Sequence, residues 1–296
     1  MIRIGIIGGT GLGSVLEEQL DPGQRAEINP KTPFGHPAAP IVMGEIDGTA
    51  IALLQRHGKH HQFSPTNVPY QANIFALKMA GCTHVIASGA CGSLQKKIRP
   101  GELVLCDQVI DRTVLRHRSF YAMPEVGAAV HVEMADPFCP TMRAWLRESA
   151  ASIPSSVHDH GTYICIEGPS FSTRAEAQFH RRMGGDVVGM TAMPECRLAR
   201  EAEMAYALIA LPTDDDCWKP GNTDSTLLET IIGNLEQATS SAIAMVSRAL
   251  RNTEILERSP SPAHTALNNA IWTDVDAIDP GVRTGLAPLW GRVVKG

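Results

Sequence analysis

Apolar residues along the chain gather into short runs separated by stretches with helical spacing. Runs of buried-strand length occupy Ile2 to Ile7, Ile51 to Leu54, His84 to Ala87, Glu102 to Cys106, Tyr163 to Ile166, Asp186 to Met190 and Ala205 to Leu211. Val68 to Ala80, Thr141 to Ser152, Ser172 to Met183, Pro194 to Glu203 and Thr226 to Leu250 instead place apolar residues on one face of a helix. Alternation of this kind predicts an α/β fold, a single domain over 1–253 with a central mixed or parallel β-sheet flanked by helices on both faces. Such a sheet puts its active site at the strand ends, where loops converge. From about Leu256 the texture changes to Arg258-Ser259-Pro260-Ser261-Pro262, then to a segment broken by Pro280, Gly281, Gly285 and Pro288. Residues 254–296 read as a C-terminal extension, docked or partly disordered, with Trp272, Leu289 and Trp290 apolar enough to dock on the body or on a neighbouring subunit.

A chain of 296 residues buries a substantial core without disulfide or metal support. Its net charge of -5 argues against nucleic acid or an anionic membrane as partner, because both need a basic face. The seven cysteines are odd in number, none lies in a CxxC pair, and several sit inside apolar runs such as Ile164-Cys165-Ile166. Free thiols in a reducing cytosol are the expected state. Strand-like sequence begins at Ile2 without the features of a signal peptide, and no apolar run approaches a membrane span, so a soluble, cytoplasmic protein is expected.

Candidate chemistry follows the predicted strands. Ile6-Ile7-Gly8-Gly9-Thr10-Gly11 runs from a strand into a glycine turn whose backbone N–H groups and Thr10 hydroxyl suit an anion; a plain tight turn has the same composition. It fails as a dinucleotide fingerprint, since the third glycine of G-x-G-x-x-G falls on Ser14, and it lacks the lysine of a P-loop. Arg56 and His57 offer a guanidinium fork and an imidazole to phosphate oxygens, although His57, His60 and His61 also read as a polar loop or, without helical spacing or a carboxylate, as a poor metal site. Ser88 to Ser93 are small enough for a ligand to rest on the backbone or for a helix to pack there. Phe171, between Gly168-Pro169 and a Ser/Thr helix start, can stack on a flat base or pack into the core. Asp214, Asp215 and Asp216 end an apolar strand, where one carboxyl could protonate a purine leaving group at N7 and another accept from an exocyclic amine; a divalent cation site is the rival reading.

Taken in order, these motifs resemble the purine nucleoside phosphorylase superfamily, in its 5'-methylthioadenosine phosphorylase branch. The resemblance runs from Ile4 to about Leu250 and includes Thr32-Pro33-Phe34-Gly35, Arg56-His57-Gly58, Tyr70-Gln71-Ala72-Asn73, Ala90-Cys91-Gly92-Ser93-Leu94, Asp111-Arg112-Thr113, Asp136-Pro137-Phe138-Cys139-Pro140, Glu167-Gly168-Pro169, Met190-Thr191, Pro194-Glu195 and Thr213 to Trp218. It implies a nucleoside phosphorylase-like fold and phosphate held by Gly8, Thr10, Arg56, His57, Ala90 and Thr191. Met190 would lie under the ribose, Phe171 would flank the adenine, and Asp214 and Asp216 would act at N7 and at the 6-amino group. His61, Leu228 and Ile231 would line the 5' pocket, with His131 reaching in from an adjacent subunit of a homotrimer. Inorganic phosphate would be the co-substrate, with no metal or organic cofactor. The implied reaction is phosphorolysis of 5'-methylthioadenosine, with another 5'-modified adenosine such as a 5'-halo-5'-deoxyadenosine as the near alternative, and a nucleoside hydrolase or non-catalytic nucleoside-binding protein as the distant one. Four features depart from the branch: Gly89 and Gly189 stand where hydroxyl and asparagine residues are usual, Ser170 where arginine is common, and the C-terminal extension lengthens the chain beyond the usual end.

Overall fold

Side chains next to each other in a buried strand must enter opposite cores, and this alternation organises the whole sheet. In the computed structural model, which describes residues 2–9, 12–21, 23–219 and 227–294, Ile4 and Ile6 enter one apolar cluster while Ile7 enters another. Val85 and Ala87 likewise part from Ile86, and Tyr206, Leu208 and Ala210 from Ala207 and Ile209. Strands buried on both faces therefore appear in the sequence as unbroken apolar runs.

The described strands are β1 (Arg3–Gly8), β2 (Ala26–Ile28), β3 (Ile41–Ile46), β4 (Thr49–Gln55), β5 (His84–Ser93), β6 (Leu103–Leu105), β7 (Gln108–Asp111), β8 (Val157–His158), β9 (Thr162–Cys165), β10 (Val187–Gly189) and β11 (Ala205–Asp214). They form one mixed sheet in the order β2-β3-β4-β1-β5-β10-β9-β7, with β11 joined to β5 and β6, and β8 to β6. Parallel pairing of β4, β1, β5 and β11 sends four strand ends toward one edge, and β10 meets the far half of β5 antiparallel. The helices are α1 (Leu12–Glu18), α2 (Tyr70–Met79), α3 (Pro140–Ser149), α4 (Arg174–Arg182), α5 (Ala192–Glu201), α6 (Leu227–Leu250), α7 (Glu254–Arg258), α8 (Pro280–Gly285) and α9 (Ala287–Trp290). Helices α2 and α5 cover one face, and α1, α3 and α6 the other.

Every predicted strand and helix has a counterpart, but β2, β3, β7, β8, α1, α7, α8 and α9 were not expected. In β3 the polar pair Gly44-Glu45 interrupts the apolar run, and the Leu20 side chain packs over Gly44, its Cδ2 2.8 Å from where a Cβ would stand. Short edge strands such as β7, Gln108-Val109-Ile110-Asp111, carry too little apolar sequence to announce themselves. Strand β5 also runs on through the small residues to Ser93 rather than ending before them.

The C-terminal segment lies on the α2 face. Trp290 is fully buried, stacked on Tyr121 at 5.3 Å, and donates from Nε1 to the Arg283 carbonyl at 3.1 Å. Arg292 Nε bonds Glu203 at 2.8 Å, and Leu286 and Leu289 join the same core. Trp272, by contrast, is 76% exposed. Replacing Trp290 with alanine removes a large aromatic from a closed site and is expected to cost about 3–5 kcal/mol. Thermal denaturation checks this, and an unchanged midpoint would show that the segment packs without contributing to global stability.

Candidate active site

The parallel strand ends gather the candidate residues. At the end of β1, a Cβ on Gly8 would lie 2.9 Å from the Gly13 nitrogen, so only glycine lets α1 start so close to the strand. Gly9 approaches Arg56 Nη1 and the Ser88 carbonyl, where an added Cβ would be at 4.0 and 3.9 Å. Thr10 and Gly11 lie outside the described residues.

Arg56, just past β4, is buried with its fork already engaged. Its Nε and Nη2 donate to Glu195 at 2.6 and 2.9 Å, and Nη1 donates to the Ser88 carbonyl at 2.9 Å. Burial alone would lower the guanidinium pKa; the Glu195 carboxylate outweighs that and raises it. Tyr206 donates its hydroxyl to the same carboxylate at 2.7 Å. Arg56 thus keeps only the remaining Nη1 and Nη2 hydrogens for a ligand, and its charge is already matched by Glu195. His57 donates from Nδ1 to the Phe63 carbonyl at 2.8 Å, which leaves Nε2 for a ligand. Burial, aided by the charges of Arg56 and His61, lowers the His57 pKa. His61 is exposed and stacks on His57 at 4.5 Å.

Ala90 is the exposed position of an otherwise enclosed strand β5. Beside it, a Cβ on Gly89 would come within 3.2 Å of the Thr191 hydroxyl, so Thr191 occupies space that a larger residue at 89 would contest. Met190 is half-buried, and its Sδ would lie 2.5 Å from a Cβ on Gly168, whose φ of +68° also favours glycine. Arg116 supports this segment from beneath, donating from Nη1 to the Met190 and Met193 carbonyls, both at 2.6 Å. Its Nε bonds Glu167 at 3.0 Å, and Glu167 also accepts from Thr66 and from the Val114 and Leu115 amides. Burial works against that carboxyl's ionisation, but these bonds hold it down at about 2.

The acidic end is built differently. Asp214 closes β11 half-buried and accepts from the Thr213 hydroxyl at 3.0 Å. Burial raises its pKa, and the neighbouring Asp215 charge adds to the effect. Asp216 is buried at a φ of 44°, its Cβ only 3.1 Å from where Gly92 would carry one. Burial, reinforced by the Asp214 charge, pushes Asp216 up to about 6. Asp215 is paired with Lys219. The Cys217 thiol donates to the Ser172 carbonyl at 3.1 Å, fastening these carboxyls to the loop that carries Phe171, whose ring is 82% exposed. That loop enters α4 through a reciprocal Thr173–Glu176 cap.

The 5' residues are more scattered. Ile231 is half-buried on α6, which Asn234 ties to the end of β11 through the Thr213 carbonyl at 2.8 Å. Leu228 lies on α6, but its side chain is outside the described residues. His131 is exposed; its backbone bonds Ala270 at 2.9 Å and its ring meets Trp272 edge-on at 5.4 Å. Sequence reading gave no role to Glu195, Arg116, Glu167 or Tyr206. Glu195 and Glu167 stand inside recognised motifs, whereas nothing local marks Arg116 as buried. Glu195→Ala leaves a guanidinium buried without its counter-charge and is expected to destabilise by about 3–5 kcal/mol, read as a fall in denaturation midpoint. A midpoint like the parent's would mean that Arg56 finds water or another acceptor.

Comparison with known proteins places this geometry. The Phosphorylase superfamily model matches residues 3–251. An S-methyl-5'-thioadenosine phosphorylase of Thermosynechococcus vestitus is 41% identical over 293 residues, covering 98% of each chain. The match to this relative therefore takes in the C-terminal segment as well. A methylthioadenosine phosphorylase from an antarctic soil metagenomic library superposes with a TM-score of 0.88 at 41% identity, over 97% of this chain and 98% of that one. A mutant adenosine/methylthioadenosine phosphorylase of Schistosoma mansoni in complex with methylthioadenosine gives a TM-score of 0.76 at 32% identity, covering 98% of each. By the extent of these matches and the strand ends it brings together, the chain belongs to the Phosphorylase superfamily and, within it, to the methylthioadenosine phosphorylase branch.

Proposed function

We propose that the protein cleaves 5'-methylthioadenosine with inorganic phosphate, giving adenine and 5-methylthioribose 1-phosphate. The observation that carries this reading is one edge of the sheet with two unlike groups: Arg56, His57 and Thr191 in one, and the desolvated carboxyls of Asp214 and Asp216 in the other. Phosphate sits against Gly8, Thr10, Arg56, His57, Ala90 and Thr191. Met190 underlies the ribose and Phe171 flanks the adenine. As the glycosidic bond stretches, positive charge grows on the ribosyl group, where phosphate stabilises it and then captures C1'. Electron density left on the purine is met at N7 by Asp214, whose pKa burial raises, while Asp216 accepts from the 6-amino group. His61, Leu228 and Ile231 form the 5' pocket, with His131 supplied by a neighbouring copy in a homotrimer. The enzyme acts in the cytoplasm, in purine and methionine salvage, with no metal or organic cofactor. Among the described residues no helix is long and apolar enough to cross a membrane.

Adenine release from 5'-methylthioadenosine, followed with and without phosphate, tests the reading. Phosphate-independent release would make the protein a hydrolase, and tight binding without turnover would make it a nucleoside-binding protein. Faster turnover of a 5'-halo-5'-deoxyadenosine in the same assay would reassign the 5' pocket alone.

Two carboxyl variants separate the assigned roles. Asp214→Asn is expected to lower kcat by about 10²- to 10⁴-fold while leaving nucleoside KM much less affected. Unchanged kcat would remove Asp214 from N7. For Asp216, the folded carboxyl keeps its proton up to about 6 where the free group loses it near 3.8. Its stabilising contribution is fully present below 3.8 and is lost as pH rises through about 6. Asp216→Asn should therefore gain stability relative to the parent as pH is raised from about 4 to about 7, with little further gain above that, while losing its preference for 6-amino over 6-oxo purines. Denaturation across that range with a parallel adenosine and inosine assay reads both effects; a constant stability difference would show that Asp216 is not desolvated.

A further inference from the structure

Tyr163 has no part in the chemistry above, yet its side chain is fully buried directly beneath the ribose and phosphate segment. It lies on β9 opposite Val187 of β10, so its ring runs along the face that Gly189 shares two residues on. A Cβ on Gly189 would stand 1.9 Å from the Tyr163 hydroxyl oxygen and 2.6 Å from Cζ. The phenol thus fills the place that a side chain at 189 would take. Its hydroxyl has no hydrogen-bond partner of good geometry among the described residues. The Thr191 amide is near enough to favour the ionised phenol, although burial dominates and drives its pKa far up.

A buried hydroxyl left without a full partner is costly, and phenylalanine would fill the same volume without that cost. The hydroxyl is nevertheless placed against the turn Gly189-Met190-Thr191. Arg116 holds the same turn by the Met190 carbonyl at 2.6 Å, so the peptide is gripped through that carbonyl and bounded by the phenol.

We infer that Tyr163 is a positioning residue: its hydroxyl, seated on Gly189 in place of a side chain there, sets the Thr191 amide and hydroxyl for binding the phosphate co-substrate. This rests on the reading of Thr191 as a phosphate ligand. It also explains why glycine at 189 is compatible with an intact site, since Tyr163 and Gly189 act as one volume.

Tyr163→Phe tests the hydroxyl alone. It is expected to fold with a denaturation midpoint equal to or above the parent's, to raise phosphate KM roughly 3- to 10-fold as Thr191 loses its fixed position, and to leave nucleoside KM within about twofold. A purely structural role would move the midpoint and not split the two KM values. Protection by inorganic phosphate in thermal denaturation gives the same comparison without turnover. Gly189→Asn should lose at least about tenfold in activity by collision, and adding Tyr163→Leu should recover part of that loss, a non-additivity expected only of residues in contact. The inference fails if Tyr163→Phe has the parent's phosphate KM and phosphate protection, or if Gly189→Asn is as active as the parent. If the parent itself shows phosphate-dependent adenine release, such a failure leaves the phosphorylase reading standing; if it shows none, it is that reading which fails.

Discussion

The ion pair between Arg56 and Glu195 is the constraint around which the rest of the site is arranged. A guanidinium cannot be buried without a matched acceptor, so the end of β4 and the first turns of α5 must meet in one geometry. Meeting that demand brings Tyr206 of β11 to the same carboxylate and the Ser88 carbonyl of β5 to the remaining nitrogen. Three strands and a helix are thereby fixed relative to one another at the edge where the ligand would lie. The cation is held with its charge already matched, and only the outward hydrogens of Nη1 and Nη2 remain for any ligand.

Opposite treatment is given to the acids. Asp214 and Asp216 are drawn out of water beside one another, and both are pushed toward the protonated form. Glu167, by contrast, is surrounded by donors and held at about 2, in keeping with a role in bracing Arg116. The same side-chain chemistry is thus held ionised where donors surround it and pushed toward the protonated form where burial dominates. At Asp216 burial makes the charged form unfavourable to the fold.

The departures from the branch pattern at 89 and 189 have physical counterparts in the surrounding packing. Thr191 stands close to Gly89, and the phenol of Tyr163 fills the space above Gly189. Neither glycine leaves a void, so each change is absorbed within its immediate shell. Ser170 is exposed, and nothing in the structure explains it. The C-terminal segment is bound by the Trp290 stack and the Arg292–Glu203 pair, and its exposed Trp272 lies beside His131.

Strand runs buried on both faces were legible from the sequence because each residue's apolarity is required locally, whichever strand lies alongside. The glycine turn at Gly8, the Arg56-His57 pair and the Asp214 to Asp216 cluster were legible for a related reason: each follows directly on such a run and so must sit at a sheet edge. What the sequence left open was everything set by partners distant in the chain. Gly8 alone was compatible with an ordinary turn, and the tight closure onto Gly13 shows why glycine is needed there. The fork of Arg56 was free to serve phosphate until Glu195, 139 residues away, was seen to occupy it. Arg116 and Tyr163 carry no local signal, since a buried guanidinium and a buried phenol look like any other arginine and tyrosine until folding closes around them. Burial and pairing are properties of the assembled sheet and helices, and only the tertiary structure could decide them.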